Sequence, residues 1–232
     1  MKKYTHIFFD LDHTLWDTDR NAEESLRELF DELKLEEKGI PGFENFHEKY
    51  RGHNEKLWGL YAENKVGKDA VRLHRFLNTF QDFEINDNDA ANKLADLFVS
   101  RTPRKKHLIP GAIELLEELK ERFHLSIITN GFKEAQYTKL DASDIKKYFT
   151  SVFISEEVGV HKPDPKIFHH AVKNSGANSA AECMMIGDTF QTDVFGALNA
   201  GMTAVHYSPD NKNVHAYPVI TIRSLNELLE HI

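Results

Sequence analysis

The chain opens on a short apolar run, Thr5 to Phe9, that breaks at once into a polar cluster of Asp10, Asp12 and Thr14. Such a run predicts a strand whose carboxyl end delivers side chains to a loop. From Trp16 to His107 the pattern changes. Apolar residues recur at helical spacing against a highly charged background: Leu26, Leu29, Phe30 and Leu33, then Leu57, Leu60 and Tyr61, then Val71, Phe76, Leu77 and Phe80, then Leu94, Leu97 and Phe98. This predicts about four amphipathic helices, with breaks at Lys38 to Gly42, around Gly67, at Phe83 to Asn88 and at Thr102 to Arg104.

After Pro110-Gly111 the pattern becomes regular. It predicts a helix over 112–122, a strand over 125–129, a helix over 133–140, a strand over 151–154 and a helix over 165–173. A strand over 183–186, a helix over 192–200, a strand over 203–206, a short strand over 219–222 and a closing helix over 225–232 complete the series. Alternation of this kind builds a parallel sheet covered by helices on both faces. Because the helical stretch interrupts the series after its first strand, the expected fold class is α/β. A Rossmann-like parallel-sheet core of residues 1–15 and 108–232 carries an inserted all-helical cap of residues 16–107.

Composition narrows the classes. At 232 residues and 41% hydrophobic content the chain can bury a sizeable core, which excludes full disorder and a fibrous chain. Thirty-seven acidic against 29 basic residues give a net charge of −8, which argues against a nucleic-acid polymer as partner. No uncharged apolar run approaches the roughly 20 residues of a membrane span, so no membrane partner is expected. The N-terminus lacks the apolar stretch of a signal peptide, and the single Cys183 excludes an intramolecular disulfide, so a cytoplasmic location is expected. Cys183 itself is expected to pack as a small hydrophobe. The oligomeric state is left open between monomer and weak dimer.

Ligands of open parallel sheets bind outside the carboxyl ends of the strands, so the strand ends are where chemistry is sought. They carry Asp10-Leu11-Asp12-His13-Thr14, then Thr129-Asn130-Gly131, then Gly187-Asp188, while His161-Lys162-Pro163-Asp164 lies in the loop after the third strand. Asp10 and Asp188 offer hard oxygens to Mg²⁺. Thr129 and the loop amides after it, at Asn130 and Gly131, can donate to phosphate oxygens, and Lys162 supplies a compact positive charge for the same group. The set is a phosphate and metal toolkit.

At these residues the sequence resembles the haloacid dehalogenase superfamily, the aspartate-nucleophile phosphatases. Asp10-Leu11-Asp12-His13-Thr14 matches the D-x-D-x-T motif, Thr129 the second motif, Lys162 with Pro163-Asp164 the third, and Gly187-Asp188 with Asp193 the fourth. The insert is similar to the helical cap of the first cap class. The resemblance implies a two-step phosphoryl transfer in which Asp10 forms an aspartyl phosphate, while Asp12 protonates the leaving oxygen and then activates water. It makes Asp10, Asp188 and, through its backbone carbonyl, Asp12 the ligands of Mg²⁺. On this reading Asp10 stays ionised beside the metal, Asp12, turned away from the metal near the leaving group, is protonated at the first step, and Asp193 either caps a helix or holds Lys162 or a metal-bound water.

The acid at Asp12 separates phosphoryl transfer from the superfamily's dehalogenases, which lack it. In the cap, Tyr50, Asn54, Leu57 and Trp58, followed by Arg75-Phe76, resemble the branch of bacterial pyrimidine 5′-nucleotidases. The implied substrate is a small phosphorylated metabolite, a nucleoside 5′-monophosphate first, with sialic acid 9-phosphate as the alternative from a sister branch. A phosphomutase of the same fold is a second enzymatic reading, and a binding module on an inactive scaffold is a third. Candidate specificity residues are His13, Arg51, Asn54, Trp58 and Arg75. The remaining histidines show no metal-ligand spacing and are assigned to surface or packing.

Overall fold

The computed structural model describes residues 4–210 and 219–232. The chain divides into two compact units, Met1–Thr18 with Lys106–Ile232, and Asp19–Lys105.

In the first unit β1 (His6–Phe9), β2 (His124–Thr129), β3 (Ser151–Ile154), β4 (Cys183–Gly187), β5 (Thr203–Tyr207) and β6 (Ile220–Ile222) form one sheet in the order β3-β2-β1-β4-β5-β6. Every pairing is parallel. This is the doubly wound order, in which β1 lies between two later strands and the chain reverses direction across the sheet beside it. Phe9 is in register with Ile127 on one side and Ile186 on the other. Asp10, the residues after Thr129 and the residues after Gly187 therefore emerge side by side.

The central strands are mostly apolar because both faces of the sheet are buried there. Ile7, Phe9, Ile127 and Ile186 pack with Leu115, Leu116 and Leu119 in one cluster, while Phe8, Ile128, Met185 and Cys183 pack with Ile167 and Phe168 in another. Burial pushes the Cys183 thiol up to about 11, so it stays an inert packing group.

Two predicted elements differ in kind. The expected helix over 192–200 splits into a π-helical turn, Phe190–Val194, and a short α-helix, Phe195–Asn199. The closing segment forms a 3₁₀ helix, Leu225–His231, whose first turn is closed by reciprocal bonds between Ser224 and Glu227. Trp16 and Leu108 form an antiparallel bridge, so the two crossing points of the chain pair with each other. The expected strand start at Val219 lies at Ile220.

The second unit comprises α1 (Thr18–Glu32), α2 (Phe43–Ala62), α3 (Lys68–Asp82) and α4 (Asn88–Arg101). Their apolar stripes meet in one core that includes Leu26, Leu29, Phe46, Tyr50, Phe76, Phe80, Leu94 and Phe98. No described helix of either unit is long and apolar enough to cross a membrane.

Candidate active site

The site is built on the sheet ends. Asp10 extends β1 by one residue, its N–H donating to the Ile186 carbonyl at 2.9 Å. Lys162 reaches it from the loop before the helix Pro165–Ser175, whose first turn is capped by Asp164. The Lys162 ammonium lies 2.7 Å from Asp10 Oδ1 and 2.6 Å from Asp193 Oδ1, with all three residues buried. Asp193 stands inside the π-helical turn, and its other oxygen accepts the Thr189 N–H at 3.0 Å. Of the two roles expected for it, the geometry shows the hold on Lys162. Asp188 is tied back to β1 through Thr14: its N–H donates to the Thr14 hydroxyl at 3.1 Å, and that hydroxyl lies 3.2 Å from Asp188 Oδ1.

Asp10, Asp188 and Asp193 bring one carboxylate oxygen each to within 4.8 Å of one another. Three carboxylates against one ammonium leave two negative charges in a buried place. Burial is the main reason the Asp10 carboxyl sits well above the usual carboxylate range, with Lys162 opposing and the other acids adding to the rise. Burial, reinforced by Asp193, pushes Asp188 up to about 6. Lys162 is held above its ordinary value because its two carboxylate partners outweigh its burial. An all-oxygen donor set with a deficit of two positive charges fits a hard divalent cation. Asp193 is bound to the Lys162 ammonium and the Thr189 N–H, whereas Asp188 accepts only the hydroxyls of Thr14 at 3.2 Å and Thr189 at 3.3 Å, which can turn away, so Asp10 and Asp188 are the carboxylates best placed to bind one.

Asp12 does not join this cluster. Its carboxylate accepts from Lys139 Nζ at 2.6 Å, Gln136 Nε2 at 2.8 Å and the Thr18 hydroxyl at 2.8 Å. Burial would push its pKa up, but the Lys139 charge and these bonds bring it down to about 2. Without substrate the carboxylate form of Asp12 is favoured by a lysine that reaches it from the helix Lys133–Ala142, so the proton expected on it at the first step has to be gained when substrate binds.

Thr129 ends β2 and is buried. Its oxygen accepts from Gly131 N at 3.2 Å and from Gln136 Nε2 at 2.6 Å. The Gly131 amide, expected on phosphate, is thus turned onto Thr129. The Asn130 side chain pairs with both backbone groups of Lys162, accepting its N–H at 2.8 Å and donating to its carbonyl at 2.9 Å. Asn130 clamps the lysine loop, so only its backbone N–H remains to offer phosphate. His13 is exposed and sits in the left-handed region at φ 58°, in the tight turn where its N–H meets the Trp16 carbonyl and the Thr18 hydroxyl.

On the helical unit the candidate residues separate. Arg51 is exposed, and Asn54 and Trp58 are half-buried. Arg75 is 5% exposed and donates to Asn54 Oδ1 at 2.9 Å and the Tyr50 hydroxyl at 3.3 Å, with its guanidinium over the rings of Phe98 and Phe76. Among the described residues no carboxylate pairs with it, and its Nε has no acceptor. Trp58 packs edge-on against Tyr61 at 5.6 Å between centroids.

Sequence reasoning missed Gln136 and Lys139. Both lie on the helix Lys133–Ala142, whose buried residues are Gln136 and Leu140. A glutamine one turn from a buried leucine on the same helical face was the available signal.

The haloacid dehalogenase-like hydrolase model matches residues 4–201. The HAD-hydrolase YfnB of Bacillus subtilis is 32% identical over 231 residues, covering 98% of this chain and 95% of that protein. Pyrimidine 5′-nucleotidase YjjG of Escherichia coli is 30% identical over 230 residues, covering 97% and 96%. N-acylneuraminate-9-phosphatase of Homo sapiens is 30% identical over 249 residues, covering 97% and 94%. The crystal structure of YfnB bound to magnesium superposes with a TM-score of 0.88 at 28% identity, over 99% of each chain. With the family model matched over residues 4–201 and a relative 32% identical over 98% of its length, the chain belongs to the haloacid dehalogenase-like hydrolase family.

Proposed function

We propose that the chain is a Mg²⁺-dependent phosphatase that works through an aspartyl phosphate on Asp10 and takes a pyrimidine nucleoside 5′-monophosphate as substrate. The observation that carries this reading is the convergence of Asp10, Lys162, Asp193 and Asp188 at adjoining strand ends, with two negative charges in excess. Asp10 and Asp188, with the Asp12 carbonyl that the family resemblance implies, would hold Mg²⁺, which when bound supplies positive charge to the phosphoryl oxygens.

In the first step an Asp10 oxygen bonds to phosphorus, the bond to the leaving oxygen breaks, and that oxygen takes a proton from Asp12. Lys162 favours the ionised nucleophile and shares its charge with the transferring group. Because Asp12 rests as a carboxylate, its proton has to arrive with the substrate. A phosphate dianion beside Asp12 opposes the field of Lys139 and raises the proton affinity of the acid. In the second step water attacks phosphorus, Asp12 accepts its proton, and Asp10 leaves as a carboxylate. The carboxylate form that Lys139 favours is the one this step uses.

The substrate class is supported by likeness to YjjG and by the residues of α2 and α3. Asn54, Trp58 and Arg75 are proposed to discriminate among leaving groups, with Arg51 and His13 as further candidates. Phosphate release measured with and without Mg²⁺ over nucleoside monophosphates, sialic acid 9-phosphate and glyceraldehyde 3-phosphate tests the reading. Metal-dependent release with the highest kcat/KM on a pyrimidine nucleotide is the expected result. Preference for a sugar phosphate overturns the substrate, transfer to a second hydroxyl without release indicates a mutase, and metal-independent release overturns the cation site.

A further inference from the structure

Gln136 is fully buried, yet it is a polar residue to which the mechanism above gives no part. Its Nε2 donates one hydrogen to Asp12 Oδ2 at 2.8 Å and the other to Thr129 Oγ1 at 2.6 Å. Its Oε1 is buried and has no partner among the described residues. Leaving that acceptor unmet costs free energy, so the amide is oriented for the sake of its two donations. The space it fills exists because residue 131 is glycine: a Cβ there would lie 2.2 Å from Gln136 Nε2.

The direction of the amide is set by its surroundings. Asp12 collects donors, Lys139 Nζ at 2.6 Å and the Thr18 hydroxyl at 2.8 Å on one oxygen and Gln136 Nε2 at 2.8 Å on the other, and a flipped Gln136 would forfeit both of its own donations. Thr129 Oγ1 then accepts twice, from Gln136 and from the Gly131 N–H. A hydroxyl with both lone pairs engaged has one thing left to give, its proton, and among the described residues no acceptor takes it up. Asp12 thus sets Gln136, and Gln136 sets Thr129 as a donor.

We propose that Gln136 is a positioning residue which fixes the Thr129 hydroxyl as a hydrogen-bond donor to the transferring phosphoryl group and couples that donor to Asp12. This rests on the phosphatase reading above and assigns a role to a residue that reading does not need.

The test is a double-mutant cycle of Gln136→Met, which keeps length and packing but removes both donations, with Thr129→Val. The full chain with Mg²⁺ is assayed for kcat and KM on p-nitrophenyl phosphate and for inhibition by inorganic phosphate. Gln136→Met should lower kcat/KM about tenfold and raise the phosphate inhibition constant in the parent, but change either by less than about twofold once Thr129 is valine. A packing role alone predicts equal losses in both backgrounds, and that result overturns the proposal. So does a Gln136→Met enzyme within about twofold of the parent. Circular dichroism and melting temperature establish that each variant is folded, and Gln136→Ala takes the place of Gln136→Met in the cycle if the latter is not. Thr129→Val without effect on turnover or phosphate inhibition removes Thr129 from the phosphate site and sinks the underlying reading, an outcome distinct from additivity.

Discussion

Asp193 fits behind the end of β4 because residue 187 is glycine: a Cβ at that position would lie 2.3 Å from Asp193 Oδ2 and 2.4 Å from its carboxyl carbon. The missing side chain lets a buried acid approach the strand and reach Lys162 at 2.6 Å. The glycine before Asp188 is thereby part of the charge arrangement, although it carries no charge.

Gly187→Ala should displace Asp193 and loosen Lys162. Overpacking of this kind costs on the order of 1–3 kcal/mol. A lower urea midpoint together with a fall in phosphate release is expected, and a variant matching the parent in both would mean that Asp193 can move aside without consequence.

Asp12→Asn should depend on the leaving group. With an alkyl leaving oxygen, which needs a proton, the loss should be on the order of 10²–10⁴-fold, and with nitrophenyl phosphate far smaller. Equal losses on the two substrates, compared through kcat/KM, would take Asp12 out of the acid role.

Arg75→Met tests a buried guanidinium that has no carboxylate partner. Removing a desolvated, incompletely bonded charge is often neutral for stability. The melting temperature is expected to stay close to the parent's. Asn54, however, loses the donor at 2.9 Å that orients its amide, so the kcat/KM ratio of a pyrimidine nucleotide to nitrophenyl phosphate should fall about tenfold. An unchanged ratio would make Arg75 and Asn54 packing residues only.

His6 gives a pH dependence away from the site. Its Nε2 faces the Ser175 carbonyl at 3.1 Å and must carry a hydrogen, while its Nδ1 lies 2.8 Å from the Thr5 hydroxyl, and burial holds the ring below its ordinary pKa of 6.5. As pH falls through 6.5 the unfolded chain takes up a proton before the folded one does, so stability drops between that pH and the folded value. The contribution of one such group is at most about 1.4 kcal/mol per pH unit. Urea midpoints measured from pH 7 to pH 5 should decline less steeply for His6→Gln than for the parent, and parallel declines would remove His6 as a source.

Periodicity alone settled much of this protein. Runs such as Ile7 to Phe9 and Leu125 to Ile128 are legible as strands because burial on both sheet faces makes them apolar at nearly every position, Ser126 being the exception. Asp10, Thr129, Lys162 and Asp188 were legible because a parallel sheet gathers its strand ends, so acids and a threonine at those ends meet whatever else the chain does. What only the tertiary structure decided is the electrical state of each group and the company it keeps. Asp12 lies 127 residues from Lys139 in the sequence, and no local pattern forecasts that the lysine lowers its pKa. Gln136 and Asn130 look like ordinary helix and turn residues until their amides are seen bridging distant backbone and side-chain groups. Arg75 reads as a candidate specificity residue, and only the fold shows its guanidinium buried among aromatic rings. Hydrophobic pattern is a local, additive signal, whereas hydrogen-bond direction and charge balance depend on which side chains the fold brings within about 3 Å of one another.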